Sequence, residues 1–176
     1  EEQGEGVYIE KASGQRVVQI TTKMSKSLRN VVNPDDVIAA FGADTFRLYE
    51  MYMGPLEAQK PWNTRDIVGM QRFLDAAWRN LVGEEDVGAG SPRPSKIGEE
   101  AAPEALDRMM HRVIKKVGED IEGLRFNTAI SQMMVLTNAL TQSDLRPVSA
   151  VLELLRILNP FAPHITEELH SLVAKA

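Results

Sequence analysis

Two lysines and two serines stand together in one short run of the chain, Lys23-Met24-Ser25-Lys26-Ser27, called here the lysine loop. Lysine ammonium groups are compact point charges on flexible stems, so they can follow the oxygens of a polyphosphate while its charge redistributes. Serine hydroxyls can donate further hydrogen bonds to the same oxygens. The run therefore predicts a mobile phosphate-binding loop, although a solvated basic turn would have the same composition.

Further motifs surround the lysine loop and continue along most of the chain. They are Leu28 to Pro34, Phe41 to Tyr49, Gly54-Pro55-Leu56-Glu57, Lys60-Pro61-Trp62-Asn63-Thr64, Arg125 to Ile130 and Asn159 to Ile165. The lysine loop with its following residues resembles the KMSKS region of class I aminoacyl-tRNA synthetases. The Gly-Pro-Leu-Glu and Lys-Pro-Trp-Asn elements resemble the leucine-specific members in particular, and the last two stretches resemble the helical anticodon-binding domain of the same family.

The resemblance implies a leucine-tRNA ligase activity, in which leucine and ATP give leucyl-adenylate and leucine then passes to tRNA(Leu). It implies that Lys23 and Lys26 are catalytic, and that Lys23, Ser25, Lys26 and Ser27 bind the ATP phosphates, with Mg²⁺ carried by ATP. The family's His-Ile-Gly-His motif does not occur in this sequence. We therefore expect a piece of a longer, monomeric protein, inactive without a missing catalytic domain that binds ATP and leucine.

Composition limits the other function classes. The net charge is −5, with 43% hydrophobic and 26% charged residues, which is ordinary for a globular protein and unlike a generic nucleic-acid binder with a basic excess. The sequence has no cysteine, and its three histidines are not clustered with carboxylates, so we expect no metal site. Without a long apolar run or a signal pattern, we expect a cytoplasmic protein that binds no membrane.

The first third of the chain predicts a small β-hairpin followed by two short helices. Val7 to Glu10 and Arg16 to Ile20 are β-prone runs on either side of a glycine-containing turn. Asn33 and Pro34 form a strong helix start, because asparagine is a good N-cap and proline fits the first helical position. That helix should end at Gly42, and a second should cover Asp44 to Met53.

From residue 63 onward the apolar residues recur at spacings of three and four, as in amphipathic helices. We predict five such helices, which begin near Asn63, Pro103, Asn127, Pro147 and Pro163. Residues 83–102 are rich in Gly, Pro, Ser and acidic residues without periodicity, so we predict a surface connector there.

The predicted fold is mainly α. Residues 1–62 should form the C-terminal part of a catalytic region, a hairpin and helical segment that bears the lysine loop. Residues 63–176 should form an antiparallel bundle that binds tRNA, interrupted by the connector.

Several basic or polar side chains of the bundle are candidates for tRNA contact. They are Arg65, Arg72, Arg79, Lys115, Lys116, Arg125 and Asn127. The three arginines recur at intervals of seven, so they should share a helix face, yet a solvated polar face explains them equally well. Arg125 could hold a phosphate with exposed backbone amides nearby, whereas Asn127 should be a helix cap first.

Asp44, Arg47 and Trp62 have simpler interpretations. Asp44 and Arg47 stand three residues apart, which predicts a surface ion pair rather than a substrate contact. Trp62 should be a packing residue.

Two alternatives stay open at this point. One is a class I synthetase of the valine, isoleucine or methionine type. The other is a non-enzymatic helical interaction module, in which the lysine loop is merely solvated.

Overall fold

The computed structural model describes residues 8–18, 20–82 and 96–175, which belong to two compact units. Unit 1 ends at Asn33, and unit 2 begins at Pro34. This division by packing falls before the functional boundary that the sequence predicts after Trp62. The reason is that the second helix after Pro34 packs with later helices of the chain, and the first packs on the second.

Unit 1 contains the predicted β-hairpin in a shorter form. Strand β1, Tyr8–Ile9, pairs antiparallel with strand β2, Arg16–Val17. The connecting turn is closed by a hydrogen bond from Glu10 N to Gln15 O at 2.9 Å. Gly14 has a φ of +70° in this turn, a conformation that glycine adopts without steric cost. The hairpin leads the chain directly towards the lysine loop.

Unit 2 begins with three helices: α1, Pro34–Phe41; α2, Ala43–Tyr52; and α3, Ile67–Val82. Helix α1 starts at the predicted proline, with two acidic residues in its first turn to complement the helix dipole. It ends where predicted, because Gly42 has a φ of +85° and its N–H closes the last turn on Ile38 O at 2.8 Å.

The remaining elements of unit 2 are strand β3, Lys96–Gly98; helix α4, Glu104–Glu122; helix α5, Phe126–Gln142; strand β4, Leu145–Pro147; helix α6, Val148–Leu158; and helix α7, Pro163–Lys175. Pro103 and Pro147 each stand directly before a helix, and Pro163 opens the last one. Strands β3 and β4 pair in parallel. Helix α5 packs against α4, α3, α2 and α6, so it lies at the centre of the bundle.

The core of unit 2 is formed by the apolar helix faces that the periodicity predicts from residue 63 onward, together with Leu48 of α2 and Phe161 between α6 and α7. Its largest fully buried side chains include Leu48, Ile67, Ile130, Met133, Leu136, Leu140, Leu154, Leu158, Phe161 and Leu169. Each fully buried aliphatic or aromatic side chain contributes about 1.5 to 3 kcal/mol from loss of water contact. The ring of Phe161 also meets that of Phe126 edge to face, with the centroids 6.0 Å apart.

Part of the predicted connector, residues 83–102, is a strand, because Lys96–Gly98 pairs with Leu145–Pro147. This short ladder is held by backbone hydrogen bonds, which leave no side-chain periodicity to detect. Residues 83–95 lie outside the described residues, and with them Gly83, the glycine expected to end the helix that begins near Asn63. The expectation that Asn127 caps a helix is wrong, because α5 already begins at Phe126 and Arg125 occupies the capping position.

Candidate functional site

The lysine loop is closed by the side chain of Asn30. Asn30 Oδ1 accepts a hydrogen bond from the backbone N–H of Ser25 at 2.8 Å, and Asn30 Nδ2 donates to Lys23 O at 3.3 Å. Ser25 Oγ accepts from the N–H of Leu28 at 3.3 Å and lies 3.1 Å from Ser27 Oγ. The two predicted phosphate-binding serines are thus also part of the loop's own hydrogen-bond network.

Both lysines of the loop are exposed, whereas Ser25 and Asn30 are partly buried. The backbone after Lys26 makes a turn, in which Arg29 N donates to Lys26 O at 3.2 Å and Arg29 has a φ of +53°. The loop can therefore present two ammonium groups to an anion, because hydrogen bonds already fix its backbone conformation. Such positive charge suits the oxygens of a polyphosphate.

The three candidate arginines near α3 do not form one helical row. Arg65 lies in the turn before the helix, where its N–H donates to Asn63 Oδ1 at 3.1 Å, and α3 begins only at Ile67. Arg65 and Arg72 are exposed, whereas Arg79 is partly buried. Only Arg72 and Arg79 therefore share the face that the seven-residue spacing predicts.

The candidates at the corner between α4 and α5 surround a buried acid that the sequence did not single out. Asp120 has no exposed side-chain surface, and its Oδ1 accepts from Lys116 Nζ at 2.6 Å and from Arg125 Nε at 2.8 Å. Arg125 Nη2 also donates to Glu119 O at 3.0 Å. Lys116 and Arg125 thus have a structural role whether or not they contact RNA. Lys115 is exposed, 3.9 Å from the Glu119 carboxylate.

These two cations keep Asp120 ionised. Burial by itself would raise the pKa of Asp120, but the hydrogen bonds from Lys116 and Arg125 outweigh it and lower the pKa below its ordinary value of 3.8. Among the described residues, Asp120 Oδ2 is the buried side-chain atom without a hydrogen-bond partner. Lys116 and Arg125 thus share one buried carboxylate oxygen, Asp120 Oδ1.

Comparison with known proteins gives the family. The family model described as tRNA synthetases class I (I, L, M and V) matches residues 17–60, and the model described as anticodon-binding domain of tRNA ligase matches residues 104–176. Leucine--tRNA ligase of Pelodictyon phaeoclathratiforme is 54% identical over 84% of this chain, and leucine--tRNA ligase 1 of Rhizobium johnstonii is 50% identical over 91%. The chain belongs to the class I tRNA synthetases. The resemblance and fold class predicted from the sequence are confirmed.

A solved structure of the same family has the same fold. It is the crystal structure of the ternary complex of Agrobacterium radiobacter K84 agnB2 LeuRS-tRNA-LeuAMS, which matches 85% of this chain with a TM-score of 0.71 and 32% identity. This synthetase chain spans only about a fifth of the proteins that it matches, 18% of the two relatives and 20% of the solved structure.

In this synthetase chain, Asp44 and Arg47 fasten α2 to the segment between α6 and α7. Asp44 Oδ2 accepts from the N–H of Ile165 at 2.7 Å, and Asp44 Oδ1 lies 2.8 Å from His164 Nδ1. Arg47 donates to Phe161 O at 3.2 Å and to Pro160 O at 3.0 Å. Asp44 therefore caps the N-terminus of α7, while Arg47 binds carbonyls just before it. The predicted surface ion pair is wrong, and these contacts are called here the α2 clamp.

One signal in the sequence could have revealed the α2 clamp. Helix α7 begins at Pro163 directly after Ala162, and alanine has no side-chain acceptor for the free N–H groups of a first helical turn. A helix start without its own cap requires an acceptor from elsewhere. A buried acidic residue can supply this acceptor, and Asp44 is only 7% exposed.

Trp62 is a packing residue, as predicted. Its ring meets Tyr49 edge to face, with the centroids 5.0 Å apart, and its Nε1 donates to Thr64 Oγ1 at 2.8 Å. The Tyr49 hydroxyl in turn donates to Asn63 O at 2.8 Å. Burial raises the pKa of Tyr49 above its ordinary value, so this hydroxyl keeps its proton and its hydrogen bond.

Two features are absent from residues 8–18, 20–82 and 96–175. These residues contain no group of three or more His, Asp or Glu side chains placed to hold a metal ion. None of their helices has the length and apolar character needed to cross a membrane.

Proposed function

We propose that this chain is part of a leucine-tRNA ligase, in which unit 1 contributes the loop that stabilises the ATP phosphates and the bundle of unit 2 binds tRNA(Leu). The main support for this proposal is the lysine loop, in which two lysines are exposed and the backbone is held by hydrogen bonds to Asn30. Relatives named leucine--tRNA ligase, 45 to 54% identical, support the leucine type over the valine, isoleucine and methionine types.

The proposed reaction begins with attack of a leucine carboxylate oxygen on the α-phosphorus of ATP. The new O–P bond forms as the bond between the α-phosphorus and the bridging oxygen breaks, and pyrophosphate leaves with that bond's electron pair. Negative charge grows on the leaving pyrophosphate, and the ammonium groups of Lys23 and Lys26 stabilise it. Ser25 and Ser27 can donate to the same oxygens. Such phosphoryl chemistry is accelerated chiefly by positioning and charge stabilisation.

The proposed tRNA contacts lie on the bundle. The candidates are Arg65, Arg72, Arg79, Lys115, Lys116, Arg125 and Asn127. The exposed Arg72 and Lys115 are the simplest contacts, because a phosphate could reach them without breaking the Asp120 cluster. Arg125 has 53% of its side chain exposed, so it can contact a phosphate while it remains on Asp120. We place the functional boundary after Trp62, between the two family matches at residues 17–60 and 104–176.

The reaction also requires Mg²⁺. ATP brings its own Mg²⁺, whose charge neutralises phosphate oxygens. We further propose that the whole protein is monomeric and works in the cytoplasm, where ATP, leucine and tRNA are available together.

The test is Lys26→Ala in the full-length ligase. We expect the rate of leucine-dependent exchange of pyrophosphate into ATP to fall by roughly two to three orders of magnitude, because one donor to a developing charge is lost. The KM for leucine should change little. Lys11→Ala is the matched control, since Lys11 is an exposed lysine in the hairpin turn of the same unit. A normal exchange rate for Lys26→Ala would remove the lysine loop from the chemistry.

A further inference from the structure

We propose that Asn30 is the positioning residue of the lysine loop: its side-chain amide holds the loop in the conformation that serves the phosphates, without touching them. This inference rests on the proposed function and adds a residue to it.

Asn30 holds the first three residues of the loop with both halves of one amide group. Its Nδ2 donates to the carbonyl of Lys23, the first residue of the loop, and its Oδ1 accepts from the N–H of Ser25. A side-chain amide that both donates and accepts forms the same pair of hydrogen bonds that a peptide group of a neighbouring strand would form. The ring that it closes runs from Lys23 to Asn30 and contains both lysines.

The turn inside this ring needs such support. Arg29, next to Asn30, has a φ of +53°, a left-handed conformation that is unfavourable for residues with a β-carbon. The other contacts of the turn are long: Arg29 N to Lys26 O is 3.2 Å and Leu28 N to Ser25 Oγ is 3.3 Å. At 2.8 Å, the bond from Ser25 N to Asn30 Oδ1 is the shortest of those described in the loop.

Pre-organisation is the route by which Asn30 can affect the reaction. A loop of lysines and serines has many conformations, and only the fraction that presents both ammonium groups stabilises the leaving pyrophosphate. A lower population of that conformation reduces the rate in proportion. Loss of one hydrogen bond of ordinary length and one long one corresponds to about a tenfold lower population.

The experiment uses the full-length ligase with Asn30→Ala, Lys26→Ala and the double variant. We expect Asn30→Ala to lower the rate of pyrophosphate exchange about tenfold, with the KM for leucine unchanged. Asn30→Asp should also be slow, because it keeps the acceptor for Ser25 N but loses the donor to Lys23 O. Thr22→Ala, which alters an exposed polar side chain just before the loop, should exchange at the wild-type rate.

The double variant separates positioning from a general loss of folding. If Asn30 acts through the lysines, Asn30→Ala should slow the Lys26→Ala enzyme by much less than it slows the wild type. If Asn30 only stabilises the protein, the two effects should multiply in full, and the inference is overturned. A wild-type rate for Asn30→Ala would also overturn it. A normal rate for Lys26→Ala would instead refute the proposed function itself.

Discussion

The α2 clamp should be worth a measurable part of the stability of unit 2. The perturbation is Asp44→Ala, which removes the acceptor for the N–H of Ile165 and the neighbour of His164 Nδ1, 2.7 and 2.8 Å away. The side chain of Asp44 is 9% exposed, so water can replace little of what is lost. Without it, the N–H groups of His164 and Ile165 lose their side-chain acceptor, and Ala162 has no side-chain oxygen to replace it.

The expected size follows from the geometry. Replacing an N-cap by alanine costs about 0.5 to 2 kcal/mol, and a buried carboxylate facing the positive end of a helix belongs at the upper end. We therefore expect Asp44→Ala to lower the free energy of unfolding by about 2 kcal/mol, or the thermal midpoint by roughly 4 to 8 °C for a unit of this size. Asp44→Asn retains a side-chain acceptor and should cost less than about 1 kcal/mol.

The assay is urea unfolding of the 176-residue chain followed by far-ultraviolet circular dichroism. Asp75→Ala is the matched control, because Asp75 is an exposed aspartate of α3, and its removal should change stability by no more than about 0.5 kcal/mol. The denaturant slope should stay constant across the three variants. Equal midpoints for Asp44→Ala and Asp75→Ala would refute the reasoning, because the clamp would then add nothing beyond a surface charge.

Two further outcomes concern the corner between α4 and α5. Because the folded pKa of Asp120 is below 3.8, its ionised form stabilises the fold fully above that pH, and the contribution is lost as pH falls below it. Below pH 3.8, the free energy of unfolding should therefore fall less steeply with decreasing pH in Asp120→Asn than in the wild type. Parallel curves for the two proteins would contradict the ion cluster. Arg125→Ala should weaken tRNA binding by about 1 to 3 kcal/mol and flatten its salt slope by roughly one unit, as measured by filter binding. A lower thermal midpoint with unchanged binding and slope would instead limit Arg125 to its contact with Asp120.

Local patterns in the sequence were enough to predict most helices of unit 2. The apolar spacing and the prolines at 34, 103, 147 and 163 gave starts within a residue or so of the observed ones, because both signals act within one or two turns. The lysine loop could also be found, since its charge and hydroxyl content lie within five consecutive residues.

Interactions between distant residues could not be predicted in the same way. Asp44 and Ile165 are 121 positions apart, and their contact arises only when α2 packs near the start of α7. Asp120 is four residues from Lys116 and five from Arg125, a spacing that a solvated surface pair would share. What the sequence could not show was that the carboxylate is buried, and burial gives the cluster its effect on stability and pH dependence.

The α2 clamp also determines where the protein can be dissected. A recombinant fragment beginning at Asn63 would match the predicted tRNA-binding region, but it would lack α2 and leave the first turn of α7 without the acceptor that Asp44 supplies. The same cut would remove the partner of α3 and α5 and expose apolar surface that α2 covers. The compact unit that contains these partners begins at Pro34, so we expect a fragment that folds by itself to extend about thirty residues before Asn63.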